Sequence, residues 1–229
     1  MTKYLVIDTE TSGLPRFDLP AEAPEQPHIA SIAMIYATGE GDAVLTVERE
    51  TYALIKPTGW ELEPGAAAVN GLTMEMLETD GRPIVELMAE YAEAIDDDRV
   101  IVAFNAQFDC KMCRGALRRL GMDDRFERTR NLCTMRGASA VMKLAPPEKM
   151  MAAGYKTNKM PKLAEAYEYF IGEPLTGAHH ALSDAHACLA VFAEMMRRGC
   201  APAPDVHRAK EGTKAGAAFA ARQGQGATP

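Results

Sequence analysis

Apolar residues along this chain alternate between short unbroken runs and longer repeats at helical spacing. Tyr4–Asp8 opens with Leu5, Val6 and Ile7 in succession, and Gly13 with Pro15 ends the extended segment, which predicts a buried strand. Ile29–Tyr36 and Val44–Ile55 predict two more strands, the second closed by Pro57. Pro83–Ile95 carries Ile84, Leu87, Met88, Tyr91 and Ile95 at helical spacing. Val100–Phe104 is nearly continuous in apolar residues, the mark of a strand covered on both faces. Helices are expected over Phe108–Leu120, over Pro161–Ile171 with proline at its first position, and over Leu182–Arg198. Strands come first and then alternate with helices, so the expected fold is α/β, a mixed β-sheet flanked by helices.

Two stretches break the pattern. Residues 15–27 hold four prolines and three acids and read as a loop. Residues 200–229 are rich in Ala, Gly, Pro, Thr and Gln, so one domain over 1–199 and a loosely attached tail over 200–229 are expected. With 47% hydrophobic and 25% charged residues, the chain can form a core without a disulfide framework. Its five cysteines are odd in number and unevenly placed, no apolar stretch has the length of a membrane helix, and no secretory signal is read at the start. A cytoplasmic location and no membrane partner are expected. The net charge of −7 opposes an extended grip on nucleic acid, although clustered carboxylates with bound cations would invert the field locally.

Three segments carry chemistry. Asp8 and Glu10 are two apart on a strand and point to one face, where they either end the strand in solvent or share a cation. Asp109 follows a buried strand and a turn, and it either favours a helix N-terminus or joins a site. His179 and His180 precede Asp184 in a loop-to-helix junction. Four carboxylates and a histidine make an oxygen-rich set suited to Mg²⁺ or Mn²⁺. Two such ions suit in-line attack of water on a phosphodiester, with a neutral histidine taking the proton.

DTETSGL at 8–14, AFNAQFD at 103–109 and HHALSDA at 179–185 resemble, in order, the three motifs of the DEDDh (DnaQ-like) 3′→5′ exonucleases. The resemblance runs from residue 4 to about 198 and implies a ribonuclease H-like sheet. It implies a nuclease that releases nucleoside 5′-monophosphates from single-stranded or frayed 3′ ends, with DNA favoured. Its partner is nucleic acid with a free 3′ end, and a DNA polymerase is a candidate second partner. The alternatives are an RNA-trimming exoribonuclease of the same family and a non-catalytic polymerase-associated module.

By position, the resemblance makes Asp8, Glu10, Asp109 and Asp184 the ligands of two Mg²⁺ ions, for which Mn²⁺ substitutes, and makes His179 the general base. A helix running through residue 180 would instead bring His180 over Asp184. Thr11, Leu14, Asn105 and Phe108 are expected around the terminal nucleotide. Asn70 stands where many relatives have histidine, and the stretch 143–161 is expected to be longer than in compact relatives. Lys156, Lys159 and Lys162 read equally as phosphate contacts or as a solvated cluster. Cys110 and Cys113 read as half a zinc site or, more simply, as helix-packing residues.

Overall fold

The N-terminal apolar run forms a long strand, β1 (Thr2–Thr11), and β2 (Ile29–Gly39) and β3 (Thr46–Leu54) follow it in antiparallel pairing. The computed structural model describes residues 1–40, 44–154, 157–177 and 179–206. Then come α1 (Pro64–Asn70), α2 (Met74–Asp80), α3 (Ile84–Asp96), β4 (Val100–Ala103), α4 (Ala106–Arg119), β5 (Arg130–Cys133) and α5 (Thr134–Met142). The chain continues through α6 (Glu148–Ala152), α7 (Leu163–Ile171), α8 (Ala181–Arg197) and β6 (Asp205–Val206). The sheet order is β3-β2-β1-β4-β5-β6. β4 runs parallel to β1 and to β5, while β6 is antiparallel to β5, so the sheet is mixed, as expected.

Alternation along β1 decides what each face carries. Leu5 and Ile7 point into a core with Ile32, Met34, Leu87, Met88 and Leu117, which glues α3 and α4 to one face. Tyr4 and Val6 point the other way, into a core with Ala185, Cys188, Leu189 and Phe192 of α8. On that second face β2 presents Ala33 and Ala37 among its buried residues, and these small side chains let α8 lie close. Phe192 is 1% exposed and meets Tyr4 edge-on at 5.1 Å. Truncating such a residue to alanine typically costs about 3–5 kcal/mol.

Several expected boundaries shift. The helix expected from Phe108 starts at Ala106, with Asn105 at its N-cap. The helix expected from Pro161 starts at Leu163, so Pro161 is a buried residue ahead of it and not its first position. Lys162 takes the N-cap, and its backbone N–H donates to Glu165 Oε2 at 2.7 Å. The helices α1, α2, α5 and α6, of five to nine residues, and the strands β5 and β6, of four and two, are short, and the sequence reading did not resolve them.

The domain edge expected after residue 199 falls inside packed structure. Cys200 and Ala201 pack against Ala138, Phe170 and Met195. Pro202 closes on Gly137, where a Cβ would lie 2.7 Å from its Cδ. Asp205 and Val206 then pair with β5. Small residues and prolines hid this segment, because backbone pairing and one proline hold it in place of large apolar side chains. The rest of the expected tail, 207–229, and Lys156 lie outside the described residues.

Candidate metal-dependent nuclease site

The parity that buries Val6 under α8 also aims Asp8 and Glu10 toward that helix. A bulge between Glu10 and Thr11 ends the regular pairing of β1 with β2 just beyond them. Asp184 lies in the first turn of α8 and is 9% exposed. Carboxylate oxygens of Asp8, Glu10 and Asp184 all come within 4.8 Å of one another. Asp109 reaches the same end of the sheet from the opposite layer, in the first turn of α4. Thr9, whose side chain has the opposite parity to Asp8 and Glu10, holds it there. Thr9 donates to Asp109 Oδ1 through its backbone N–H at 3.0 Å and its hydroxyl at 2.8 Å. The sequence reading passed over Thr9, although its place between two acids on a strand marks it as facing the other layer.

Like charges and burial raise these carboxyls together. Asp8 is pushed well above the usual carboxylate range, first by burial and then by Asp109, Asp184 and Glu10. Burial also raises Glu10 and Asp184, with Asp184 adding repulsion at Glu10 and His179 opposing the shift at both. Burial lifts Asp109 to about 7, against the lowering effect of its hydrogen bonds from Thr9. No Lys or Arg forms an ion pair with any of the four among the described residues. Asp184 Oδ2 accepts the backbone N–H of His179 at 3.0 Å, while the buried Oδ1 has no hydrogen-bond partner. Three clustered carboxylates, one of them with an oxygen that has no hydrogen-bond partner, fit a hard divalent cation, which takes oxygen ligands.

The two histidines separate clearly. His180 is the N-cap of α8, with extended φ and ψ, so the helix does not run through it. Its ring packs on Tyr52 at 4.6 Å. His179 has φ 71°, a left-handed conformation that a non-glycine residue adopts at a cost of order 1–3 kcal/mol. It is exposed, and it lies within electrostatic range of both Glu10 and Asp184. The helical argument for His180 therefore fails on geometry.

The expected nucleotide-contact residues lie at and just beyond the end of β1 and at the start of α4. The buried Thr11 donates its hydroxyl to Gly13 O at 2.7 Å, and Leu14 projects from the following turn, 87% exposed. Asn105 and Phe108 sit half-buried at the start of α4, and Phe108 leans on the α3–α4 core. Asn70 donates to Thr11 O at 3.4 Å and accepts from Leu72 N, so it braces the end of β1. The loop at 15–27 is pinned in place. Gln26, 2% exposed, accepts from Arg16 N and donates to the carbonyls of Arg16 and Pro20. Arg119 and Lys111 of α4 hold the same loop through its carbonyls. Cys110 and Cys113 pack into the α3–α4 core, and burial pushes the Cys110 thiol up to about 12, away from the thiolate that zinc needs.

Residues 5–192 match the exonuclease family model named for ribonuclease T. The chain belongs to the DEDDh exonuclease family. No curated protein sequence matches it. Among solved structures, E. coli exonuclease I bound to single-stranded DNA is similar with a TM-score of 0.65 at 19% identity, over 86% of this chain and 41% of that one. A 3′-exonuclease that recognises a histone mRNA stem-loop is similar at 0.65 and 12% identity, over 90% of this chain and 68% of that one. The nuclease domain of a DEDDh family member bound to rAMP gives 0.64 at 12% identity, over 90% and 97%. The chain thus spans about two-fifths of exonuclease I. These likenesses show the fold. The family is one of metal-dependent exonucleases, and the acidic cluster is a donor set able to hold such a metal.

Proposed function

We propose that this protein is a 3′→5′ exonuclease that releases nucleoside 5′-monophosphates from single-stranded or frayed 3′ ends, with DNA favoured. The observation that carries the reading is the convergence of the Asp8, Glu10 and Asp184 carboxylates, with Asp184 Oδ1 left without a hydrogen-bond partner and Asp109 held by Thr9. Asp8, Glu10, Asp109 and Asp184 would hold two Mg²⁺ ions, with Mn²⁺ substituting. When bound, such ions supply Lewis-acid activation of water and neutralise charge on the phosphodiester and the leaving 3′ oxygen.

The protein's own groups do the rest. His179 takes the proton of the attacking water. Asp184 Oδ2 fixes the backbone of that histidine, so one carboxylate serves both the cation and the base. His180 is held on Tyr52 and takes no part. Leu14 meets the terminal nucleotide from the end of β1, and Thr11 shapes that turn through Gly13. Asn105 and Phe108 line the opposite side at the start of α4.

The preference for DNA is supported by exonuclease I complexes with single-stranded DNA, which share more sequence with this chain than the RNA-associated neighbours do. RNA trimming is the second reading, and the histone mRNA nuclease of similar fold favours it. Five free cysteines accord with a reducing cytoplasm. No described helix is long and apolar enough to cross a membrane. The deciding experiment incubates 5′-labelled and 3′-labelled DNA and RNA strands with the protein, with Mg²⁺ or with EDTA. Stepwise shortening from the 3′ end in Mg²⁺ alone, with mononucleotide products, is expected. Internal cleavage, or no degradation of any strand in Mg²⁺ or Mn²⁺, refutes the reading.

A further inference from the structure

Positive charge is distributed unevenly in this acidic chain. Residues 134–162 hold six basic residues, Arg136, Lys143, Lys149, Lys156, Lys159 and Lys162, against the single acid Glu148. That segment is +5 where the whole chain is −7. Pairing differs as well. Elsewhere every described arginine but Arg119 is paired with an acid, among them Arg49 with Glu90, Arg99 with Glu48 and Asp97, Arg118 with Glu22 and Asp124, and Arg125 with Asp96. Arg136, Lys143 and Lys149 are exposed and have no ion pair among the described residues. Lys159 pairs with Glu165, and Lys162 lies near the same carboxylate.

The strip is joined to the site. α5 begins where Thr134 Oγ1 donates to Ala103 O and Met135 N–H donates to Phe104 O, on the turn that leads to Asp109. Thr134 Oγ1 also meets Cys188 Sγ, one helical turn beyond Asp184, and Cys188 lies within electrostatic range of Asp8 and Asp109. The bond from Lys159 N to Leu144 O closes the intervening excursion, bringing the backbone next to Lys143 back beside Lys159. Met151 and Met160, each more than half exposed, stand among the cations. Unpaired cations interleaved with apolar side chains beside a phosphodiester-cleaving site match the backbone and bases of a single strand.

We propose that the strip from Arg136 through Lys149 is the track for the nucleic-acid strand on the 5′ side of the bond being cleaved. This rests on the nuclease reading above. The track supplies the phosphate contacts that the net charge withholds elsewhere, so strand affinity depends on substrate length and on salt. Each phosphate contact to a single strand contributes about 0.7 to the slope of log K against log salt. Removing three cations therefore lowers the slope by about 2 and, near 0.1 M salt, weakens binding by roughly 10–100-fold.

The test is fluorescence polarisation of a labelled single strand of about 15 nucleotides, read in EDTA so that it does not depend on turnover. The variant Arg136→Gln/Lys143→Gln/Lys149→Gln should lose that affinity and slope, and the loss should shrink as the strand is shortened toward a dinucleotide. Arg125→Gln/Arg128→Gln removes paired cations that precede β5, at the other end of the parallel strands, and should leave both quantities as in the wild type. Three outcomes overturn the proposal: no detectable wild-type binding at low salt, an unchanged slope in the triple variant, or an equal loss in the control. If the wild type binds with this pattern yet cleaves nothing in Mg²⁺, the nuclease reading fails and the strip is a strand-binding surface alone.

Discussion

Replacing Asp8 with asparagine should abolish turnover and stabilise the metal-free protein. The side chain keeps its volume and loses its charge, and its new amide N–H₂ can donate to Glu10 or to the orphaned Asp184 Oδ1. Two unit charges 4.8 Å apart, the limit of the carboxylate cluster, repel by about 3.5 kcal/mol at an effective dielectric of 20 and by about 0.9 kcal/mol in bulk water. Asp8 is half-buried, so the gain should be about 1–3 kcal/mol. For a domain of this size that is a rise of roughly 2–10 °C in melting temperature. The assay is thermal unfolding near neutral pH in EDTA and then in excess Mn²⁺. In EDTA the variant should melt above the wild type. Added metal should raise the wild type strongly and the variant little, closing or reversing the gap. The pH dependence follows from the signs. Asp8 and Asp109 bind protons more tightly folded than unfolded, so their protonated forms favour the fold. The metal-free protein therefore gains stability from this site as pH falls from about 7, the Asp109 value, toward the ordinary 3.8, and loses it as pH rises. A variant that melts below the wild type in EDTA would show that the Asp8 carboxylate is stabilising through bonds of its own, and the repulsion argument would be wrong.

His179→Ala should lower turnover by about 10²–10⁴-fold with a smaller effect on substrate affinity, while His180→Ala should be mild; the reverse ranking would remove His179 as the base. Gln26→Leu should destabilise the fold by roughly 2–4 kcal/mol, since it strands the carbonyls of Arg16 and Pro20, and chemical denaturation with an unchanged midpoint would show the loop is held without it. Burial, with Arg119 adding to it, holds the His28 imidazole down at about 4, so its contribution to stability is present above the ordinary 6.5 and is lost as pH falls from there to about 4. An NMR titration that places His28 at or above 6.5 would contradict its packing against Trp60 at 5.4 Å. Truncation after Val206 should preserve hydrolysis of a short oligonucleotide, whereas truncation after Gly199 should lower the melting temperature by uncovering Gly137 and the edge of β5; equal melting of the two would mean that residues 200–206 contribute nothing.

The strands and helices that bury whole apolar faces were legible in the sequence, because alternation in β1 and the helical repeats of α3, α4 and α8 state the burial directly. The three acidic motifs were legible from residue type and order. Other parts depend on relations that only three dimensions supply. Thr9 could not be seen as the support of Asp109 until β1 and α4 were in contact. His179 and His180 are adjacent in sequence, and a left-handed φ at one and an N-cap at the other make them different. β5 and β6 carry few large apolar residues, so their pairing left no pattern to read. The loop at 15–27 showed its irregular backbone through its prolines, yet Gln26 within it and Lys111 and Arg119 of α4 pin it through its carbonyls.

The docking of α8 against β1 has a consequence in time. Asp8 and Glu10 leave the ribosome early, and Asp184 follows 176 residues after Asp8. At roughly 5–20 residues per second, the first two carboxylates wait about 9–35 s for the third. Throughout that interval the nascent chain has no complete cluster and no anchored His179, although it emerges beside messenger and ribosomal RNA. Hydrolytic competence thus arrives in one step, with the last long helix, and not gradually as the sheet grows. A circular permutant that opened the chain between α7 and α8 would bring Asp184 out first and make Asp109, 154 residues later plus the joining linker, the last carboxylate to arrive.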